Sequence, residues 1–154
     1  HPDNGTISLA GNFNGVTYGS STFVAVGTNY GSTSIITSTD ATAWTPRTSG
    51  TSNTLNDVTY ANSTFVAVGN SGTVLKSSDG TTWTTVSATY EHPDNGTISL
   101  AGNFNGVTYG SSTFVAVGTY DNGSTSIKTS TDATAWTYRT SGTTNTLNGV
   151  TYKE

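Results

Sequence analysis

Apolar and polar positions alternate over short stretches of this chain, and the alternating stretches recur as a block. The run NGVTYGSSTFVAVG at residues 14–27 returns as NDVTYANSTFVAVG at 56–69 and as NGVTYGSSTFVAVG at 105–118, and NGVTY begins once more at Asn148. The register steps are 42, 49 and 43 residues. Within each copy, residues such as Val16 and Tyr18, then Phe23 and Ala25, follow a period of two. That period predicts two adjacent strands joined by a short Gly/Ser/Asn turn. Val24 and Val26 add apolar side chains to the opposite face of the second strand, so this strand is expected to be covered on both sides. A third strand is predicted around 34–39, 73–78 and 126–131, and a fourth starts at Trp44, Trp83 and Trp136.

A period in the forties with four short strands per unit predicts an all-β fold of β-propeller blades, each a four-stranded antiparallel sheet. Helical repeats of similar length would need an apolar stripe at a 3.6-residue period, which is absent. The chain divides into a linker at 1–12, blades at 13–49, 55–89 and 104–141, an inter-blade insertion at 90–103, and a surplus innermost strand at 147–154. Propellers close with about four to eight blades, so three blades and a strand predict completion by other chains, as a ring or a fibre. Leu147, Val150 and Tyr152 are the expected inter-chain strand residues.

Between the third and fourth strands the sequence reads STDATAW at 38–44 and again at 130–136, and SSDGTTW ending at Trp83 in the second unit. This resembles the Asp-box, or BNR, repeat of sialidase-like propellers, and the repeat also resembles the propellers of photosystem assembly factors. The Asp-box resemblance implies a hairpin turn in which a carboxylate accepts local backbone N–H bonds while an aromatic ring caps the core between blades. It assigns Ser38, Asp40 and Trp44, then Ser78, Asp79 and Trp83, then Ser130, Asp132 and Trp136 to these turns. The Trp comes one residue sooner than in the family, and only the second unit keeps the family's Gly, at Gly80.

A second, longer period overlies the first. Residues 1–28 are identical to residues 92–119, and the match continues imperfectly, Ile36 becoming Lys128 and Pro46 becoming Tyr138. The repeating unit is therefore a pair of blades. The end of the sequence, VTYKE, followed by its start, HPDNG, nearly reproduces the internal junction at 88–96, which makes head-to-tail assembly an expectation.

Composition narrows the function. The chain has 154 residues, no Cys and no Met, and a formal charge of −4. It carries no basic run, so the electrostatic footprint of a nucleic-acid binder is missing, and disulfide and thiolate–metal chemistry are excluded. No apolar stretch approaches the length of a membrane span. The hydroxyl- and amide-rich surface, poor in Lys and Glu, suggests an extracellular or cell-surface protein.

The candidate chemistry favours binding over catalysis. A glycosidase needs two carboxylates at a set separation, but Asp40, Asp79 and Asp132 are accounted for by their turns. A sialidase also needs an arginine cluster, whereas this chain has Arg47 and Arg139 at equivalent positions of separate repeats. His1 and His92 lie in copies of one HPDNG turn, and the DNG triplets at Asp3, Asp94 and Asp121 each supply too few oxygens for Ca²⁺, so no metal or cofactor is expected. Tyr18, Tyr60 and Tyr109 read as core. Tyr30, Tyr90, Tyr120 and Tyr138, in loops or outer strands beside amides, are the candidate ligand-binding residues, for a glycan or a protein. The chain is thus expected to be a non-enzymatic scaffold that associates with itself, with a structural fibre subunit or an engineered repeat array as alternatives.

Overall fold

The computed structural model describes residues 11–30, 33–86, 89–92, 96–99, 102–119 and 127–153. These form three four-stranded antiparallel sheets, each a meander in chain order. Blade 1 comprises β1 (Phe13–Gly19), β2 (Thr22–Tyr30), β3 (Thr33–Ser38) and β4 (Thr45–Thr48). Blade 2 comprises β5 (Leu55–Ala61), β6 (Thr64–Gly69), β7 (Val74–Ser77) and β8 (Thr84–Thr85). The insertion then forms a hairpin of its own, β9 (Thr89–His92) with β10 (Gly96–Ser99), in which His92 faces Gly96. Blade 3 comprises β11 (Phe104–Gly110), β12 (Thr113–Gly118), β13 (Ile127–Ser130) and β14 (Thr137–Arg139). No helix occurs among the described residues, and the architecture is that of a partial β-propeller.

The first two strands of each blade turn on two residues of positive φ: Ser20 and Ser21, Asn62 and Ser63, Ser111 and Ser112. Positive φ at both central positions matches the right-handed twist of the flanking strands, which keeps the hairpin tight. Near the start of each first strand the ladder slips by one residue, between Phe13 and Gly15, between Leu55 and Asp57, and between Phe104 and Gly106. The extra residue in each bulge is an Asn: Asn14, Asn56 and Asn105. Opposite each bulge the chain crosses so closely that a Cβ on Gly27, Gly69 or Gly118 would collide with the carbonyl of Asn12, Thr54 or Asn103. That approach explains why every TFVAV strand ends in Gly.

The core lies between blades. The back of blade 1, carrying Val24, Val26 and Ile35, packs on the front of blade 2, where Leu55, Val58, Phe65, Ala67 and Leu75 lie. Val66, Val68, Val74 and Val86 on the back of blade 2 meet Phe104, Val107, Phe114, Ala116 and Trp136 of blade 3 in the same way. The second strand of blade 2 therefore has neighbours on both faces, which is why its residues are apolar without alternation.

Candidate interaction surface

The three hairpins between third and fourth strands share one set of bonds. The Asp40 carboxylate accepts from the backbone N–H of Thr42 at 2.8 Å and of Ala43 at 3.0 Å, and the Ser38 hydroxyl donates to it at 3.0 Å. Asp79 accepts from Thr81 and Thr82, both at 2.8 Å, and Asp132 accepts from Thr134 at 2.8 Å and Ala135 at 2.9 Å. The backbone donors of Ala43, Thr82 and Ala135, then those of Thr42, Thr81 and Thr134, hold the three carboxyls below the usual carboxylate range. Such carboxylates are poor proton donors at neutral pH, and each is occupied by its own turn.

In the second hairpin the hydroxyl comes from Ser77, not Ser78. Ser77 donates to Asp79 at 2.9 Å and accepts from the Gly80 N–H at 2.9 Å, while Ser78 is exposed. The bond needs a hydroxyl two residues before the Asp, on the side of the strand that faces the turn, and only Ser77 has that position. The tryptophans differ in depth: Trp136 is buried, whereas Trp44 and Trp83 are half-buried. The Trp83 indole N–H donates to the Gly80 carbonyl at 2.9 Å.

Tyr18 also departs from its core assignment. Its ring lies 4.6 Å from Phe23, matching Tyr60 with Phe65 at 4.5 Å and Tyr109 with Phe114 at 4.7 Å. Tyr60 and Tyr109 are half-buried, but Tyr18 is 56% exposed because no described blade covers the front of blade 1. Of the candidate ligand tyrosines, the backbone of Tyr30 pairs with Thr33 and that of Tyr90 with Ile98. Their side chains, and all of Tyr120, lie outside the described residues, as do His1, Asp3, Asp94 and Asp121. Tyr138 is half-buried, with its ring 4.5 Å from the Lys128 ammonium. Arg47 and Arg139 donate through Nε to Thr37 at 2.8 Å and Thr129 at 2.9 Å.

Blade 1 and blade 3 present the same front to different surroundings. Phe104 is 1% exposed and Val107 4%, but their identical counterparts Phe13 and Val16 are 44% and 62% exposed. The segment at 147–152 lies against β11, where the first strand of a next blade would lie. The Asn105 amide donates to the Leu147 carbonyl at 3.0 Å, as Asn14 does to Leu55 at 2.9 Å and Asn56 to Phe104 at 2.7 Å. Leu147 N–H donates to the Gly118 carbonyl at 3.0 Å, and the Tyr152 ring lies over Gly110 as Tyr60 lies over Gly19. The segment was expected as a strand. No ladder pairs with it among the described residues, because the position beside it holds no second strand.

Two further polar features were not anticipated. Asp57 sits in the bulge of β5, where the other copies have Gly15, Gly106 and Gly149, and bridges two blades by accepting from Val58 N–H and Val107 N–H, both at 2.8 Å. Burial pushes its carboxyl up from the ordinary value, against the pull of these donors. A recess of about 310 Å³ between blades 2 and 3 is lined by Thr64, Lys76, Ser78, Thr82 and Asp132 among others. Lys76 reaches across it to donate to Thr134 at 2.7 Å. The bulges did leave a mark in the sequence, since Phe13 and Val16, or Leu55 and Val58, are three residues apart where pure alternation would give two. No group of three or more His, Cys, Asp or Glu that could hold a metal occurs among the described residues.

No protein-family model and no curated protein matches this chain. Among solved structures it is similar to YCF48 bound to D1 peptide, with a TM-score of 0.56 and 17% identity over 90% of this chain and 42% of that one. It is also similar to YCF48 from Cyanidioschyzon merolae, with a TM-score of 0.59 and 17% identity over 83% of this chain and 37% of that one. The chain thus spans less than half the length of these propellers, and the likeness is one of fold.

Proposed function

We propose that this chain is a non-enzymatic β-propeller scaffold that assembles with further copies and carries a protein partner, in an extracellular or cell-surface setting. The observation that carries the reading is the front of blade 1. Phe13 and Val16 are exposed there, while the same two residues are buried one pair of blades later. An apolar face of that make-up is a contact surface, and among the described residues its counterpart on blade 3 is covered by another blade. A protein partner is favoured by the shared fold with YCF48 bound to D1 peptide. The hairpin carboxylates that a hydrolase reading would need are engaged with their own backbones.

Native mass by size-exclusion chromatography with light scattering tests the assembly. A discrete multiple of 15.9 kDa is expected, and a single-chain mass sinks it. Panning a peptide display library on the assembled protein tests the partner; failure to enrich any sequence above a blank surface removes that part. A glycan ligand is the second reading, favoured by the hydroxyl-lined recess beside Lys76 and Asp132. It predicts glycan-array binding that Lys76→Ala abolishes.

A further inference from the structure

We infer that a second copy covers the front of blade 1 by strand substitution: residues 147–152 of one copy replace residues 13–18 beside β2 of the next. This rests on the assembly part of the function proposed above and specifies how the copies join. Three observations converge on it. The segment at 147–152 is already seated on the back of blade 3 as the first strand of a following blade, held by the Asn105 and Gly118 contacts. Its residues 148–152, NGVTY, are identical to residues 14–18, which pair with β2. The back of blade 3 is incompletely covered: Val115 and Ile127 are half-buried, where their counterparts Val24 and Ile35 in blade 1 are fully buried.

The exchange trades one ladder for a chemically equivalent one, so the pairing lost by the displaced strand is regained with the incoming strand. What is added is apolar contact. The front of blade 1, with Phe23, Ala25, Ile36 and Trp44, comes to rest on the back of blade 3 of the other copy, as the front of blade 2 rests on the back of blade 1. A foreign partner would have to reproduce both the five-residue edge and the blade front, and a second copy carries both in one surface. The register follows from the existing pairs. Val16 faces Ala25, as Val58 faces Ala67 and Val107 faces Ala116, so Val150 of one copy is to face Ala25 of the next.

The chain has no Cys, so an introduced pair reads this register without background. Under mild oxidation the Ala25→Cys, Val150→Cys variant is expected to link between chains, giving a reducible ladder on a denaturing gel. Antiparallel partners have Cα atoms about 4.5–5.5 Å apart, within disulfide reach. The Val107→Cys, Ala116→Cys variant closes within one chain and serves as the positive control. Val24→Cys with Thr151→Cys reads the adjacent pair should the first variant misfold. An assembled protein in which neither inter-chain pair forms while the control closes overturns the strand substitution and leaves assembly standing. A disulfide confined to single chains overturns it as well. A protein of single-chain mass overturns both. Phe13→Ala separates substitution from simple docking of the blade 1 front, because a displaced Phe13 is dispensable: unchanged assembly is expected, and loss of assembly overturns the proposal.

Discussion

Lys128 stands opposite Tyr138 in the ladder of blade 3, with its ammonium 4.5 Å from the centre of the Tyr138 ring and 4.5 Å from that of Phe104. The same two positions in blade 1 are Ile36 and Pro46, also facing one another. The two changes make a pair: a buried cation replaces an aliphatic side chain where an aromatic face replaces a proline. Removing the ring alone therefore exposes the cost of the buried charge. Tyr138→Ala is expected to lower stability by about 1–2 kcal/mol, the range of a desolvated cation–π contact. Lys128→Ile is expected to be neutral or stabilising, since an apolar group of similar size avoids the desolvation. Urea midpoints of the two variants check the order.

The hairpin turns hold strain that glycine would relieve. The residue after the Asp has positive φ in all three: Ala41 at 59°, Gly80 at 72° and Ala133 at 58°. An L-residue in this left-handed region costs roughly 1–2 kcal/mol, and the exposed Ala41 has little packing to lose. Ala41→Gly should raise stability by about 1 kcal/mol, offset in part by the greater freedom glycine adds to the unfolded chain. Ala133→Gly should gain less, because its methyl is buried against blade 2. Thermal midpoints of the two variants measure the difference.

The carboxylates predict two opposite dependences on pH. Asp40, Asp79 and Asp132 have their pKa lowered on folding, so their contribution is complete above the ordinary value of 3.8 and is lost as pH falls through the folded values. Asp57 has its pKa raised, so its contribution is complete below 3.8 and is lost as pH rises through the folded value. Asp57→Asn should gain on the parent protein as pH climbs. Asp79→Asn should lose ground over the same climb. Denaturant midpoints between about pH 3 and 8 follow both, and parallel curves for the two variants would contradict the assignment.

Identical residues in different surroundings should respond differently to truncation. Phe104→Ala removes a buried ring and should cost about 3–5 kcal/mol, whereas Phe13→Ala removes an exposed one and should cost under about 1 kcal/mol. Chemical denaturation of the two variants provides the comparison.

The blade repeat was legible because burial on both faces of the second strand writes itself as TFVAVG, and because the Ser, Asp and Trp of each hairpin recur at fixed places. Strand ends were legible to within a residue or two, since β4, β8 and β14 start one residue after each Trp. The exposure of Tyr18 was not, because identical residues cannot tell which of their copies will be covered. Ser78 was mistaken for Ser77 where two serines adjoin, and only the side of the strand each occupies separates them. The hairpin of β9 and β10 was not assigned within the insertion, since TYEH and GTIS carry no alternation strong enough to announce a ladder. Asp57 was overlooked because a single acid among glycines at equivalent positions breaks the very regularity that organised the reading.

The bulged asparagines carry a last consequence. The bulge amide of each blade reaches one carbonyl of the segment that follows on its back, at 2.9, 2.7 and 3.0 Å in turn. A rule that refers to the next neighbour alone contains no count, in the way that a stair tread fixes the pitch of a spiral and not its height. Repeats joined like this are governed by nearest-neighbour interfaces. Blades can thus be duplicated in pairs without inventing a new joint, and the identity of residues 1–28 with 92–119 is what a protein that grows by copying its own treads would carry.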